Sequence, residues 1–137
     1  MDQLQTRWPI KPVEQTRTGP NGTCFQACLA SILEIPVWEV PDFSTDDDLF
    51  LQQVQEFLAT KGLYYVQVPP DEPTVVAAFK QSLGPAYCTI EGTSPRGGQH
   101  AVVGDRGVMV WDPHPKSDGT GQGLVSVQCF GLLCKRF

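Results

Sequence analysis

The change from a turn to an apolar helix near residue 24 most restricts how this chain can fold. Asn21 and Gly22 favour a turn, and the sequence Cys-Phe-Gln-Ala-Cys-Leu-Ala-Ser-Ile-Leu that begins at Cys24 predicts a helix to about Glu34. We expect the helix to end there because Pro36 forces the residue before it out of the helical region. Such an apolar helix is expected to pack on a sheet, which the second half of the chain provides.

Helical patterns occupy the first half of the chain and strand patterns the second half. Residues 44–48 supply a helix start for a second helix that Gly62 ends, and Pro73 opens a third helix over 75–83. The runs with strand character are 63–68, 86–91, 99–103, 108–111 and 124–130. The predicted fold class is α+β, with N-terminal helices packed on a mainly antiparallel sheet.

Length and composition predict a single domain over residues 1–137, with 1–14 as an extended N-terminal segment. The 137 residues are 41% hydrophobic, which is enough for a core. No apolar run reaches the length of about 18 residues that a membrane span needs, so we expect no membrane contact.

Charge and cysteine content restrict the setting and the partners. The net charge is -5 and the Lys and Arg residues are scattered, so we do not expect nucleic acid as a partner. The N-terminal residues show no secretion signal, and the five cysteines are therefore expected to be reduced thiols in the cytoplasm.

Three residues suited to nucleophilic catalysis stand at the ends of predicted elements. Cys24 begins the first helix, where unpaired N–H groups and the helix dipole stabilise a thiolate. His100 lies on the 99–103 strand, and Asp112 directly follows the 108–111 strand. A hairpin turn near residues 104–107, with 105 opposite 107, would bring positions 100 and 112 opposite each other at neighbouring open ends of adjacent strands. Asp112 would then orient His100, and His100 would keep Cys24 as the thiolate.

Taken singly, each of these residues also has a structural interpretation. His100 can be a core histidine, and Asp112 can belong to an ordinary turn. The remaining cysteines are interpreted as small buried apolar residues, and they are Cys28, Cys88, Cys129 and Cys134. A zinc site of Cys24, Cys28 and His100 lacks a fourth ligand, so we expect neither a metal nor a cofactor.

Three longer strings around these residues resemble the papain-like clan of cysteine peptidases. They are Asn-Gly-Thr-Cys-Phe-Gln-Ala-Cys-Leu-Ala-Ser, Thr-Ser-Pro-Arg-Gly-Gly-Gln-His-Ala-Val-Val and Trp-Asp-Pro-His-Pro, and the resemblance covers about 15–115. In particular, the chain is similar to leader-processing bacterial peptidases and to small phage or prophage papain-like proteins. The resemblance implies a papain-like fold with Cys24, His100 and Asp112 as the catalytic triad.

The resemblance also implies an oxyanion site beside Cys24, whose backbone N–H is one expected donor. Family members usually carry a glutamine six residues before the cysteine, where this chain has Thr18. Gln15 stands nine residues before Cys24 and becomes the side-chain donor if residues 19–22 form a bulged loop. Asn21 is the alternative donor.

The loops beside His100 provide candidate substrate contacts. These contacts are Arg96, Gly98 and His114, and His114 is placed at the rim of the site. The implied function is a cysteine hydrolase, either a peptidase or an amidase/isopeptidase, that acts on a peptide or protein through a thioester.

Two other functions remain open. One is acyl transfer to an amine on the same scaffold. The other is a catalytically inactive phage-type protein that binds and blocks a host protein partner. For a phage-encoded protein the expected location is the host cytoplasm.

Overall fold

The computed structural model describes residues 14 and 16 and the segments 23–81, 86–115 and 122–136. The predicted N-terminal segment 1–14 therefore lies outside the described residues, except for the exposed Glu14. The helices are α1 (Cys24–Leu33), α2 (Asp47–Ala59) and α3 (Pro73–Lys80), with a 3₁₀ turn at Val37–Glu39. The strands are β1 (Leu63–Val68), β2 (Tyr87–Thr93), β3 (Gln99–Asp105), β4 (Val108–Trp111) and β5 (Ser126–Lys135).

The five strands form one antiparallel sheet in the order β1-β5-β2-β3-β4. Helices precede most of the strands in the chain, and the α+β class predicted from the sequence is confirmed. No helix in the described segments has the length and apolar character needed to cross a membrane.

The helix ends follow from local sequence. Glu34 adopts a left-handed conformation with φ 59° and ends α1 two residues before Pro36. The Asp46 side chain accepts hydrogen bonds from the Asp48 and Leu49 amides and so begins α2. Pro73 occupies the first turn of α3, where its missing N–H has no cost.

The core lies on both faces of the sheet, because side chains alternate along each strand. Ala101 and Val103 of β3 pack in the larger cluster, which includes α1 and α2 residues such as Phe25 and Leu58. Val102, between them, packs in the second cluster. The other members of that second cluster are Cys88, Ile90 and Phe130, with Val76 and Phe79 of α3 packed against them. The sheet therefore separates α1 and α2 from α3.

The hairpin between β3 and β4 turns on two residues. Asp105 pairs with Val108, and the residues between them, Arg106 and Gly107, have φ values of 53° and 87°. Positive φ at both central positions defines a type I′ turn, whose twist suits a two-residue hairpin. The hairpin turn predicted near residues 104–107 is therefore confirmed, but Asp105 pairs with Val108 and not with Gly107.

A bulge in β4 shifts the register further. Gly104 pairs with Met109, but Val103 pairs with Trp111, so Val110 is the extra residue. Continuing that register would place position 112 opposite position 102. The predicted pairing of positions 100 and 112 is therefore wrong, because the β3–β4 ladder ends at Val103 and Trp111 and includes neither residue.

Candidate active site

His100 and Asp112 are buried and hydrogen-bonded to each other. His100 Nε2 lies 2.8 Å from Asp112 Oδ1. Burial raises the pKa of Asp112, but the hydrogen bonds from His100 and from two backbone amides outweigh it and lower that pKa. The two backbone donors are His114 N, 2.8 Å from Oδ1, and Gly123 N, 2.6 Å from Oδ2. The carboxylate is held ionised and in a fixed orientation.

Cys24 lies close enough to His100 for its thiol to contribute to the raised pKa of the imidazole. Because Nε2 already binds Asp112, Nδ1 is the ring nitrogen that remains for a second partner. Burial lowers the pKa of His100, but the hydrogen bonds with Asp112 and Cys24 and their charges raise it to about 9. The structure therefore favours an imidazolium between a carboxylate and a sulfur.

Cys24 is the first residue of α1 and is partly exposed. The first turn of α1 contains no acidic residue, and the first N–H groups of a helix have no acceptor within the helix. The unpaired N–H groups of the α1 start therefore lie beside the Cys24 side chain.

Three of the other four cysteines are held in the protonated form. Burial raises the pKa of Cys28, and the nearby Cys24 adds to the effect. Burial raises the pKa of Cys88 to about 12. Burial and the charge of Glu91 raise the pKa of Cys129 to about 12. These thiols are poor nucleophiles near neutral pH, because the thiolate is the reactive form.

The interpretation of those cysteines as buried apolar residues is confirmed for Cys28 and Cys88, which are fully buried. It is wrong for Cys129 and Cys134, which are only partly buried. Cys129 donates a hydrogen bond to Glu91, with Sγ 3.5 Å from Oε2. Within the described segments, no three His, Cys, Asp or Glu side chains are placed to hold a metal ion.

His114 is buried beside His100 and does not lie at the rim where the sequence placed it. Its side chain is 1% exposed, and its ring meets the His100 ring edge-on, with centroids 6.1 Å apart and an interplanar angle of 87°. The rim placement is wrong because the His114 side chain is almost completely buried. His114 N donates to Asp112, and the His114 carbonyl accepts a hydrogen bond from Gln122.

The other predicted substrate contacts lie on an exposed turn between β2 and β3. Ser94 N donates to the Gly98 carbonyl over 2.8 Å, and Arg96 N donates to Ser94 Oγ over 3.2 Å. Arg96 and Gly98 are exposed, and a Cβ at Gly98 would meet only open space. The turn leads directly into the His100 strand, so contact of both residues with a substrate stays a prediction.

The predicted oxyanion donors Gln15 and Asn21, like Thr18, lie outside the described residues. Thr16, which follows Gln15, is described and is tied to the start of α1. Thr16 N donates to Thr23 Oγ1 over 2.8 Å, and the two hydroxyl groups are 3.1 Å apart. Since Thr23 directly precedes Cys24, the Thr16 N–H is held near the start of α1.

Two groups of residues near the site were not identified from the sequence. Gln122 and Gly123 bind His114 and Asp112, but only their place in a glycine-rich loop marks them in the sequence.

The second group is a buried hydrogen-bonded cluster under α1. Tyr65 OH bonds to Glu91 and lies 3.0 Å from Thr89 Oγ1, while the Phe25 ring packs on Tyr65 at 5.8 Å. A Cβ at Gly131 would collide with the Tyr65 and Thr89 hydroxyls, so this position requires glycine. The cluster fixes the sheet beneath the helix that carries Cys24.

Comparisons with protein-family models, with curated proteins and with solved structures found no match to this chain. The arrangement of Cys24, His100 and Asp112 is therefore the basis for assigning a function to this protein.

Proposed function

We propose that this protein is a cysteine hydrolase of papain-like arrangement that cleaves an amide bond in a peptide or protein through a thioester. The observation that carries the proposal is the position of the buried His100, which is hydrogen-bonded to Asp112 and lies close enough to Cys24 for that thiol to raise its pKa. A raised histidine pKa beside a thiol at a helix start is the arrangement expected of an imidazolium and thiolate pair.

In the first half-reaction, the Cys24 thiolate attacks the carbonyl carbon and the carbonyl electron pair moves onto oxygen. When the tetrahedral intermediate collapses, the C–N bond breaks, and His100 donates its Nδ1 proton to the leaving amine. The products are a thioester on Cys24 and a neutral His100. Asp112 holds the ring in place throughout by accepting from Nε2.

In the second half-reaction, neutral His100 takes a proton from water as the water oxygen attacks the thioester carbon. Breaking the C–S bond releases the acid and restores the thiolate beside the imidazolium. Negative charge appears on the substrate oxygen in both steps. We propose the Cys24 N–H and the Gln15 side chain as its donors, because Gln15 directly precedes Thr16 in sequence and Thr16 is hydrogen-bonded to Thr23.

The test uses iodoacetamide and the activated ester p-nitrophenyl acetate as probes. We expect iodoacetamide at neutral pH to modify Cys24 before the other cysteines, and the ester to acetylate Cys24 and then be hydrolysed. Intact-mass and peptide-mass measurements locate both modifications. Cys24→Ala should remove turnover without unfolding the protein, because a small residue fits at the helix start. Cys134→Ala is the matched control, since Cys134 is partly exposed but is not placed at the site.

Several outcomes decide between the possible functions. Equal labelling of Cys24 and Cys134, or acetylation that persists in Cys24→Ala, contradicts a nucleophilic Cys24. Transfer of the acetyl group to an added amine in preference to water would show an acyltransferase. An unreactive Cys24 in the folded protein would favour a binding role.

A further inference from the structure

Asp112 is positioned by a loop, because it follows the last residue of β4 and has no place in the strand ladder. Besides His100, its carboxylate binds the backbone amides of His114 and Gly123. These two donors belong to separate stretches of chain, one leaving β4 and the other approaching β5. The direction of the carboxylate therefore depends on how those stretches are held together.

One side chain joins the two stretches directly. Gln122 Nε2 donates to the His114 carbonyl over 2.7 Å, and Gln122 is half-buried. Gln122 and Gly123 are consecutive, so the same two residues bind both the His114 carbonyl and Asp112 Oδ2. Displacing the His114 backbone would move its N–H away from Asp112 Oδ1, the oxygen that also binds His100.

We propose that Gln122 is a positioning residue of the active site, which holds the His114 backbone so that the Asp112 carboxylate stays directed at His100. This inference rests on the proposed function, because it assigns Gln122 a role in orienting the proposed triad. Gln122 itself contacts neither the Cys24 sulfur nor His100 in the described hydrogen bonds. It acts through the loop, as partners behind a catalytic group commonly do.

The histidine content makes the inference measurable. The chain has two histidines, and both lie in this site as His100 and His114. A histidine-labelled sample therefore gives two imidazole titrations by NMR, and His114→Phe assigns the remaining one to His100. The His100 titration reports the strength of its hydrogen bond with Asp112 and does not depend on turnover.

The experiment compares Gln122→Met and Gln122→Ala with the wild type. Methionine has nearly the length of glutamine but no N–H donor, whereas alanine removes the side chain. We expect both variants to lower the pKa of His100 by about one unit, with about tenfold slower alkylation of Cys24 by iodoacetamide. Gln128→Ala is the matched control, because Gln128 is an exposed residue of β5 and should change neither quantity.

The possible results separate this inference from the proposed function. If the His100 pKa is raised in the wild type and equally raised in both Gln122 variants, the positioning role of Gln122 is overturned. The proposed function is not affected by that result. Unfolding of either variant in native buffer also overturns it, because Gln122 would then support the whole fold. A wild-type His100 pKa at the ordinary value of 6.5 contradicts the proposed imidazolium and with it the proposed function.

Discussion

Replacing Asp112 by asparagine tests the electrostatic argument most directly. Asparagine keeps the shape of the side chain but carries no charge to stabilise the imidazolium of His100. The raised pKa of about 9, against an ordinary value of 6.5, corresponds to about 3 kcal/mol of preference for the protonated ring. Burial lowers the pKa of His100, and in Asp112→Asn only Cys24 remains to oppose it. We expect the His100 pKa to fall to 6.5 or below.

Two measurements on Asp112→Asn follow the change. An NMR titration of the imidazole gives the His100 pKa, and hydrolysis of p-nitrophenyl acetate gives turnover. Turnover should fall by at least about a hundredfold at neutral pH, because the ring loses both its orientation and its proton. His100→Ala should be more severe, since the base itself is lost.

Asp105→Asn is the matched control for Asp112→Asn. Asp105 Oδ1 accepts a hydrogen bond from Ala86 N over 2.9 Å, and an asparagine oxygen can accept the same bond. This control should therefore leave both the His100 pKa and turnover unchanged. An unchanged His100 pKa in Asp112→Asn would refute the reasoning, because the carboxylate would then not be the source of the raised value.

Two further predictions concern the oxyanion donor and the pH dependence of stability. Gln15→Ala should lower turnover by about a hundredfold with little change in KM, because an oxyanion donor acts mainly in the transition state. Gln67→Ala is the control, since Gln67 is exposed on β1 and its loss should not change turnover. Equal effects of the two substitutions would exclude Gln15 as the oxyanion donor. His100 should stabilise the folded protein below pH 6.5, and this contribution should be lost as the pH rises through about 9. The lowered pKa of Asp112 adds stability that is present above its ordinary value of 3.8 and is lost as the pH falls through the folded value. Urea unfolding across this range should show both losses, and a His100→Gln variant that kept the alkaline loss would contradict its assignment to His100.

The elements that local sequence determines were predicted closely. The start of α1 at Cys24 and the bounds of β1 and β4 agree with the expected ones, because turn residues or prolines mark their ends. β5 was predicted to stop at residue 130 but continues to Lys135. From the local sequence alone, a glycine such as Gly131 is expected to end a strand. In the fold, the absence of a side chain at Gly131 leaves space for the Tyr65 and Thr89 hydroxyls. Pairing with β1 extends the strand, and a local pattern cannot show that pairing.

The register of the β3–β4 hairpin differs from the one that the sequence predicted. The sequence placed His100 opposite Asp112, but the two-residue turn shifts the pairing by one position and the bulge at Val110 shifts it by another. The ladder ends at the pair of Val103 and Trp111, so strand alternation does not set the direction of the Asp112 side chain. The amides of His114 and Gly123 hold this carboxylate instead, and its Oδ1 lies 2.8 Å from His100 Nε2. Contacts outside the strands therefore bring the two residues together, and a local sequence pattern does not show such contacts.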